Sequence, residues 1–191
     1  MDFKRFGIVI LAAGQSKRFG GNKLTTHYNG QMLFMHTFNT ISEVDGCPVF
    51  VVTAQDTIKE KALKLGYTVV LNDQPELGIS LSLRLGLRAC IQNNPDISGV
   101  LFCVCDQPNL KSSTIKKILR EAAEYPGCII RLRSDKIYGN PVLWDHIFFN
   151  ELLSLSGDEG GRQIMGRHKA AIRYIDVPAE ELSDIDYRSD L

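Results

Sequence analysis

Apolar residues fall into two patterns along this chain. Ile8–Leu11, Cys47–Thr53, Tyr67–Leu71, Gly99–Cys105 and Cys128–Leu132 are short, nearly unbroken runs. Such runs suit strands covered on both faces better than strands with one wet side. Between them the spacing becomes helical. Gln31–Val44 carries Leu33, Phe34, Phe38 and Ile41 on one face, and Thr57–Leu65 carries Ile58, Ala62 and Leu65 before stopping at Gly66. Ser80–Ile91 is a leucine-rich helix, and Ser112–Tyr125 carries Ile115, Ile118, Leu119 and Ala122 behind a capping Ser112 or Ser113. Strand and helix thus alternate from residue 7 to about residue 132. The alternation predicts an α/β fold: an open, mostly parallel sheet with helices on both faces and right-handed crossovers.

The pattern loosens after residue 132. Ser134–Asn140 is polar and contains glycine, Pro141–Trp144 is a short extended piece, and Asp145–Leu155 has helical character. Ala170–Val177 alternates as a last strand, and the acidic stretch Glu180–Asp190 is expected to lie back on the fold as a short helix or loop. With no linker, repeat or low-complexity tract, residues 1–191 are expected to form one domain.

Charge and cysteine content narrow the function classes. Twenty-two Lys and Arg balance 22 Asp and Glu, leaving no basic footprint for nucleic acid or an anionic membrane. No apolar run approaches the roughly 20 residues of a membrane span. The N-terminus reads as a first strand and not as a signal peptide. Cys47, Cys90, Cys103, Cys105 and Cys128 form no C-x-x-C pair and sit in apolar segments, so reduced packing thiols and a cytoplasmic location are expected. Cys103 and Cys105 face the same side of one strand, which suits core packing better than a metal or redox pair.

The densest chemistry lies at Gly7–Lys23. An apolar strand ends at Leu11, passes through Ala12, Ala13 and Gly14, and then supplies Lys17, Arg18, Gly20-Gly21 and Lys23. A buried strand opening into a small-residue basic loop can hold a phosphate chain, because ligand atoms approach the backbone, free N–H groups meet anionic oxygens and cations balance charge. Neither G-x-G-x-x-G nor G-x-x-x-x-G-K-[ST] is present, which disfavours a nicotinamide enzyme and a P-loop. At the end of another strand, Asp106 precedes Gln107-Pro108. It can hold Mg2+ beside phosphate oxygens, or it can serve as a turn or capping residue. Gly78, Ser80 and Ser82 stand before or early in a helix, suited to anion or base contact or to simple N-capping. His27, His36, His146 and His168 have no ligand spacing, and no nucleophile elbow is present.

The segment L-A-A-G-x-S-x-R-F-G-x-x-K-L resembles the signature loop of the MobA-like nucleotidyltransferases, in particular the molybdenum cofactor cytidylyltransferases. Gly78–Gly86, C-D-Q-P at Asp106, Gly139–Leu143 and Ser156–Arg162 are similar to further motifs of that family, in the family's order. The resemblance implies a Rossmann-like fold of the nucleotide-diphospho-sugar transferase type. It implies that Leu11, Ala12, Ala13, Gly14, Lys23, Gly78 and Ser82 bind a nucleotide, that Arg18, Lys23 and Asp106 are catalytic, and that Asn140 and Arg162 face the acceptor. It implies Mg2+ on Asp106 and, by sugar-nucleotidyl relatives, on Asp184. Three departures stand out: Asp73 replaces a proline after Asn72, Thr25-Thr26 stands after Lys23-Leu24 where proline is usual, and the C-terminal motif lacks its Thr-Pro-Glu part.

The implied reaction moves CMP from CTP to the terminal phosphate of a molybdopterin-type acceptor and releases pyrophosphate. Ala12-Ala13-Gly14 is closer to the cytidylyl-transferring group than to the guanylyl-transferring one, which typically has Leu-Ala-Gly-Gly. The implied partner is a molybdenum hydroxylase or its maturation chaperone. Two other readings stay open: a guanylyl or sugar- or polyol-phosphate nucleotidyltransferase of the same fold, and a non-catalytic chaperone that carries the molybdenum cofactor.

Overall fold

The computed structural model describes residues 3–16 and 18–191. The loop cation Lys17 lies outside the described residues. Nine strands are assigned: β1 (Phe6–Leu11), β2 (His27–Tyr28), β3 (Gln31–Met32), β4 (Val49–Thr53), β5 (Thr68–Leu71), β6 (Gly99–Val104), β7 (Ile129–Ser134), β8 (Ile137–Asp145) and β9 (Ile172–Asp176). The α-helices are α1 (Leu33–Ser42), α2 (Asp56–Lys64), α3 (Ile79–Asn93), α4 (Ser112–Glu124), α5 (Phe149–Leu153) and α6 (Arg162–Arg167).

Seven strands form the main sheet in the order β5-β4-β1-β6-β8-β7-β9. β8 alone runs against the others, pairing antiparallel with both β6 and β7. Alternation along each strand sends side chains to two cores. Ile8 and Ile10 of β1 pack on one face with Phe34, Phe38, Ile58, Ile115 and Ile118. Val9 packs on the other with Leu83, Leu87, Phe149 and Ile164. Burial on both faces is why the strands read as continuous apolar runs. Cys103 and Cys105 are fully buried in the first core, and burial pushes both thiols up.

α3 lies close on β1 and β4 at Gly86. A Cβ there would meet Val9 at a separation real Cβ atoms do not show. Glycine at this point of an otherwise leucine-rich helix is a packing requirement of the sheet beneath it.

β7 and β8 form a hairpin turning at Asp135 (φ 50°), so the polar stretch Ser134–Asn140 makes the turn and the first part of β8, which runs through Pro141 to Asp145. A register shift between Arg131 and Leu132 breaks the simple alternation there. Asp145 both ends that strand and caps the helical stretch expected after it, a 3-10 turn at His146–Phe148 running into α5; its carboxylate accepts from the N–H groups of Gly127 and Ile147. Neither Ser112 nor Ser113 caps α4. The cap residue is Lys111, and its N–H donates to the buried Glu181 carboxylate, which also accepts from the Thr114 hydroxyl at 2.6 Å. A residue from the C-terminal region thus anchors the start of α4.

Candidate active site

β1 and β6 are adjacent and parallel, with Leu11 opposite Val104. The glycine loop and Asp106 therefore leave the sheet side by side. The chain visits β4 and β5 on one flank of β1 and then returns to β6 on the other, so the loops diverge and leave a crevice between them. Two bonds fix the start of the loop: Ala12 N–H to the Val52 carbonyl at 2.9 Å and the Thr53 hydroxyl to the Ala12 carbonyl at 3.0 Å. A Cβ at Gly14 would meet nothing, so the backbone there is open to a ligand.

The far side of the loop is held by the C-terminus. Phe19 is buried with Leu33 and Ile185. Arg188 lies over the Phe19 ring and donates from Nε to the Phe19 carbonyl. Ile185 N–H donates to the Asp106 carbonyl at 2.9 Å. That bond sets Asp184 and Asp186 on either side of a residue tied to Asp106.

Lys23 is the centre of the resulting charge cluster. Its side chain is 10% exposed, and Nζ donates to Asp106 Oδ2 at 2.7 Å and to Asp186 Oδ1 at 3.3 Å. Burial alone would lower its pKa; the hydrogen bonds and charges of Asp106 and then Asp186 outweigh that, and the ammonium is held above its ordinary value. Arg18 reaches Asp186 Oδ2 at 3.5 Å and is otherwise exposed. Asp184 is pushed up to about 6, first by burial and then by the neighbouring Asp106 charge. Asp186 was not picked out by sequence reasoning. The only signal was its place two residues after Asp184 in the acidic tail, and sequence cannot say which acid of a tail reaches a lysine 163 residues away.

Above the cluster a cleft of about 700 Å³ is lined by Leu11, Ala13, Gly14, Arg18, Lys23, Gly78, Ser82, Asp106 and Asp186. Ala12 sits behind this wall in the core. Ser82 presents a polarised hydroxyl. The Gln74 backbone N–H can only donate, so the Asn72 atom 3.1 Å from it is the carbonyl oxygen. Asn72 Nδ2 therefore donates to Ser82 Oγ at 2.9 Å, which leaves the Ser82 proton for an acceptor in the cleft. Ser80 does not cap α3; its hydroxyl donates to the Gly157 carbonyl at 2.7 Å and docks the 156–161 turn against the helix start. The cap position is Gly78, at φ 89°.

A second compartment of about 390 Å³ adjoins the first and shares Leu11, Ile79 and Val104 with it. Asn140, Arg162 and Asp184 line it, together with Arg131, Tyr138 and Trp144. The glycine loop, Ser82 and Asp106 thus converge on one cleft, Asn140 and Arg162 on its neighbour, and Asp184 lies on the side of the second. No ion pair joins Arg162 to Asp158 among the described residues.

The donor set suits a small hard cation. Asp106 Oδ1 is buried without a partner. Asp184 and Asp186 add carboxylates whose mutual repulsion a cation would relieve. Among the described residues no three His, Cys, Asp or Glu side chains form a closed metal cage. One or two carboxylates completed by water and phosphate oxygens is the usual arrangement for Mg2+.

Comparison with known proteins agrees with this geometry. Residues 8–172 match the MobA-like NTP transferase domain, and the chain belongs to that family. It is 35% identical over 80 residues to a probable molybdenum cofactor guanylyltransferase of Thermococcus gammatolerans, covering 40% of this chain and 42% of that protein. It is 31% identical over 127 residues to a protein of the same name from Thermococcus kodakarensis, covering 64% of this chain and 57% of that one. The chain thus spans about half the length of the curated relatives it matches. Among solved structures, a homologue of Mycobacterium tuberculosis Rv0371c from Mycobacterium sp. strain JC1 superposes with a TM-score of 0.80 at 22% identity, over 98% of this chain and 93% of that one. A nucleotidyl transferase from Methanothermobacter gives 0.77 at 21% identity, over 97% and 93%. At these identities the two structures speak for the fold. No helix among the described residues is long and apolar enough to cross a membrane.

Proposed function

We propose that this protein is a nucleotidyltransferase that joins a nucleoside monophosphate from an NTP to the terminal phosphate of a molybdopterin-type acceptor. The observation that carries the reading is the partly buried Lys23–Asp106 contact at 2.7 Å in a cleft bounded by the glycine loop. An acceptor phosphate oxygen attacks the α-phosphorus of the donor, the bond to the β-phosphate breaks, and pyrophosphate carries away the electron pair. The attacking phosphate is already ionised at neutral pH, so no general base is required. Lys23 and Arg18 stabilise the charge that collects on the departing pyrophosphate. Asp106, with Asp184 or Asp186, would hold Mg2+, which supplies charge neutralisation between the two phosphate groups. The remaining contribution is positioning within a partly enclosed cleft.

The donor base is read as cytosine. Ala13 puts a methyl group on the cleft wall where guanylyl-transferring sequences have glycine, which leaves less room for a purine. The Ser82 proton offers a donor to a base carbonyl or ring nitrogen. The second reading is GTP, favoured by the naming of the archaeal relatives as guanylyltransferases. A nucleotide panel decides between them. With Mg2+, CTP is expected to raise the melting temperature more than GTP and to support pyrophosphate release, and EDTA to abolish release. A larger shift with GTP reverses the base assignment. No release with any donor, despite tight binding of the cofactor, would favour a non-catalytic carrier that delivers it to a molybdenum hydroxylase. A sugar or polyol phosphate that outcompetes the pterin acceptor in the same assay would replace it as substrate.

Ser82→Ala removes one hydrogen bond to the base and strands Asn72 Nδ2. A net bond contributes about 0.5–1.5 kcal/mol, so KM for the nucleotide is expected to rise roughly three- to tenfold with kcat little changed. An unchanged KM, measured by pyrophosphate release, would remove Ser82 from the base site.

A further inference from the structure

Two guanidinium groups in the second compartment stand together unpaired; Asp184 lines the same compartment but forms an ion pair with neither among the described residues. Arg131 on β7 and Arg162 at the start of α6 both line it. Among the described residues neither has a carboxylate partner. Other arginines of the same region do: Arg133 pairs with Asp176 at 2.8 Å, Arg167 with Glu151 at 2.7 Å and Arg173 with Glu121 at 2.7 Å. Arg131 is half-buried, its guanidinium is 5.0 Å from the Tyr138 ring centroid, and its Nε is buried with no partner. Burial holds its pKa below the ordinary value; the Arg162 charge adds to that lowering, while Tyr174 and Tyr138 oppose it. Like charges kept this close, one partly desolvated and short of a hydrogen-bond acceptor, are relieved by an anion that accepts from both.

We propose that Arg131 and Arg162 form a second anion subsite, which takes a negatively charged group of the acceptor other than the phosphate being joined. The proposal rests on reading the first cleft as the donor site, because that reading makes the second compartment the acceptor's. Register separates the two anions. Arg131 pairs with Val142, and Val142 with Phe102, four residues before Asp106. Two strand spacings and four strand residues put roughly 10 Å and 13 Å, at right angles, between the two backbone positions. A phosphate at Lys23 and Asp106 is thus not the group that Arg131 holds. The acceptor class that fits is a phosphomonoester bearing a second acidic group. Tyr138 and Trp144 give the same compartment aromatic walls for a flat body between the two charges.

The test is isothermal titration of the full chain with inorganic phosphate, without nucleotide or metal. Two sites are expected. Lys23→Ala should abolish one, and Arg131→Met, which keeps the stem over Tyr138, should weaken the other at least tenfold. Arg162→Ala, at an exposed position, should weaken that same second site at least fivefold and stands in should Arg131→Met not fold. A single phosphate site, or a second site that neither arginine substitution weakens, overturns the proposal. The titration needs no turnover, so absence of pyrophosphate release, which would sink the transferase reading, is a separate result.

Discussion

Lys23→Ala is expected to lower kcat/KM for nucleotidyl transfer by about 10²- to 10³-fold, corresponding to 3–4 kcal/mol of lost transition-state stabilisation. The magnitude follows from where the ammonium sits. Its side chain is 10% exposed and lies between Asp106 and Asp186, so its charge acts through little water. An exposed lysine at the same distance would be screened and would contribute far less. The loss should appear mainly in kcat, because charge builds on pyrophosphate only as the bond breaks. The substitution also removes the cation that Asp106 and Asp186 share, so thermal melting should be followed beside pyrophosphate release. A folded Lys23→Ala protein whose turnover falls less than tenfold would take Lys23 out of the chemistry.

Gly78→Ala is expected to destabilise the fold by about 3 kcal/mol, combining backbone strain with overpacking. Gly78 has φ 89°, a conformation L side chains rarely adopt. A Cβ there would also fall on the carbonyl of Gly157, a backbone group that cannot rotate aside. For a chain of this size the melting temperature should drop by about 6–12 °C. Nucleotide affinity should fall as well, because the same contact seats the start of α3 and Ser82 against the cleft. Gly160→Ala is the control: a Cβ there meets nothing within 4 Å, and a change of less than about 0.5 kcal/mol is expected. Equal melting temperatures for the two variants would show that the 78–157 contact is not a structural constraint.

Lys23 and Asp106 were both legible in the sequence because each ends a motif on a short, strongly apolar strand. Once β1 and β6 pair in register, their following loops have nowhere to go but the same rim. Asn72 and Ser82 were legible as a motif, but the direction of their hydrogen bond was not. It depends on the Gln74 N–H, a backbone donor whose aim is set by the fold of the turn. Asp186, Glu181 and Arg131 were not legible as site or capping residues. Each acts across 67 or more residues of chain or through a bulged hairpin, where neither periodicity nor motif carries information.

By itself the sequence determined the alternation of strand and helix, the two-faced burial of the sheet and the cationic loop at its first turn. These follow from local pattern, since buried parallel strands must be apolar throughout and the small and cationic residues of the loop are adjacent in sequence. Only the tertiary structure decided that β8 runs antiparallel, that the C-terminal tail brings a further carboxylate to Lys23, and that two arginines share a compartment with no carboxylate paired to either among the described residues. Those outcomes depend on distant segments meeting, and the free energy of such contacts belongs to the assembled sheet and not to any stretch of chain.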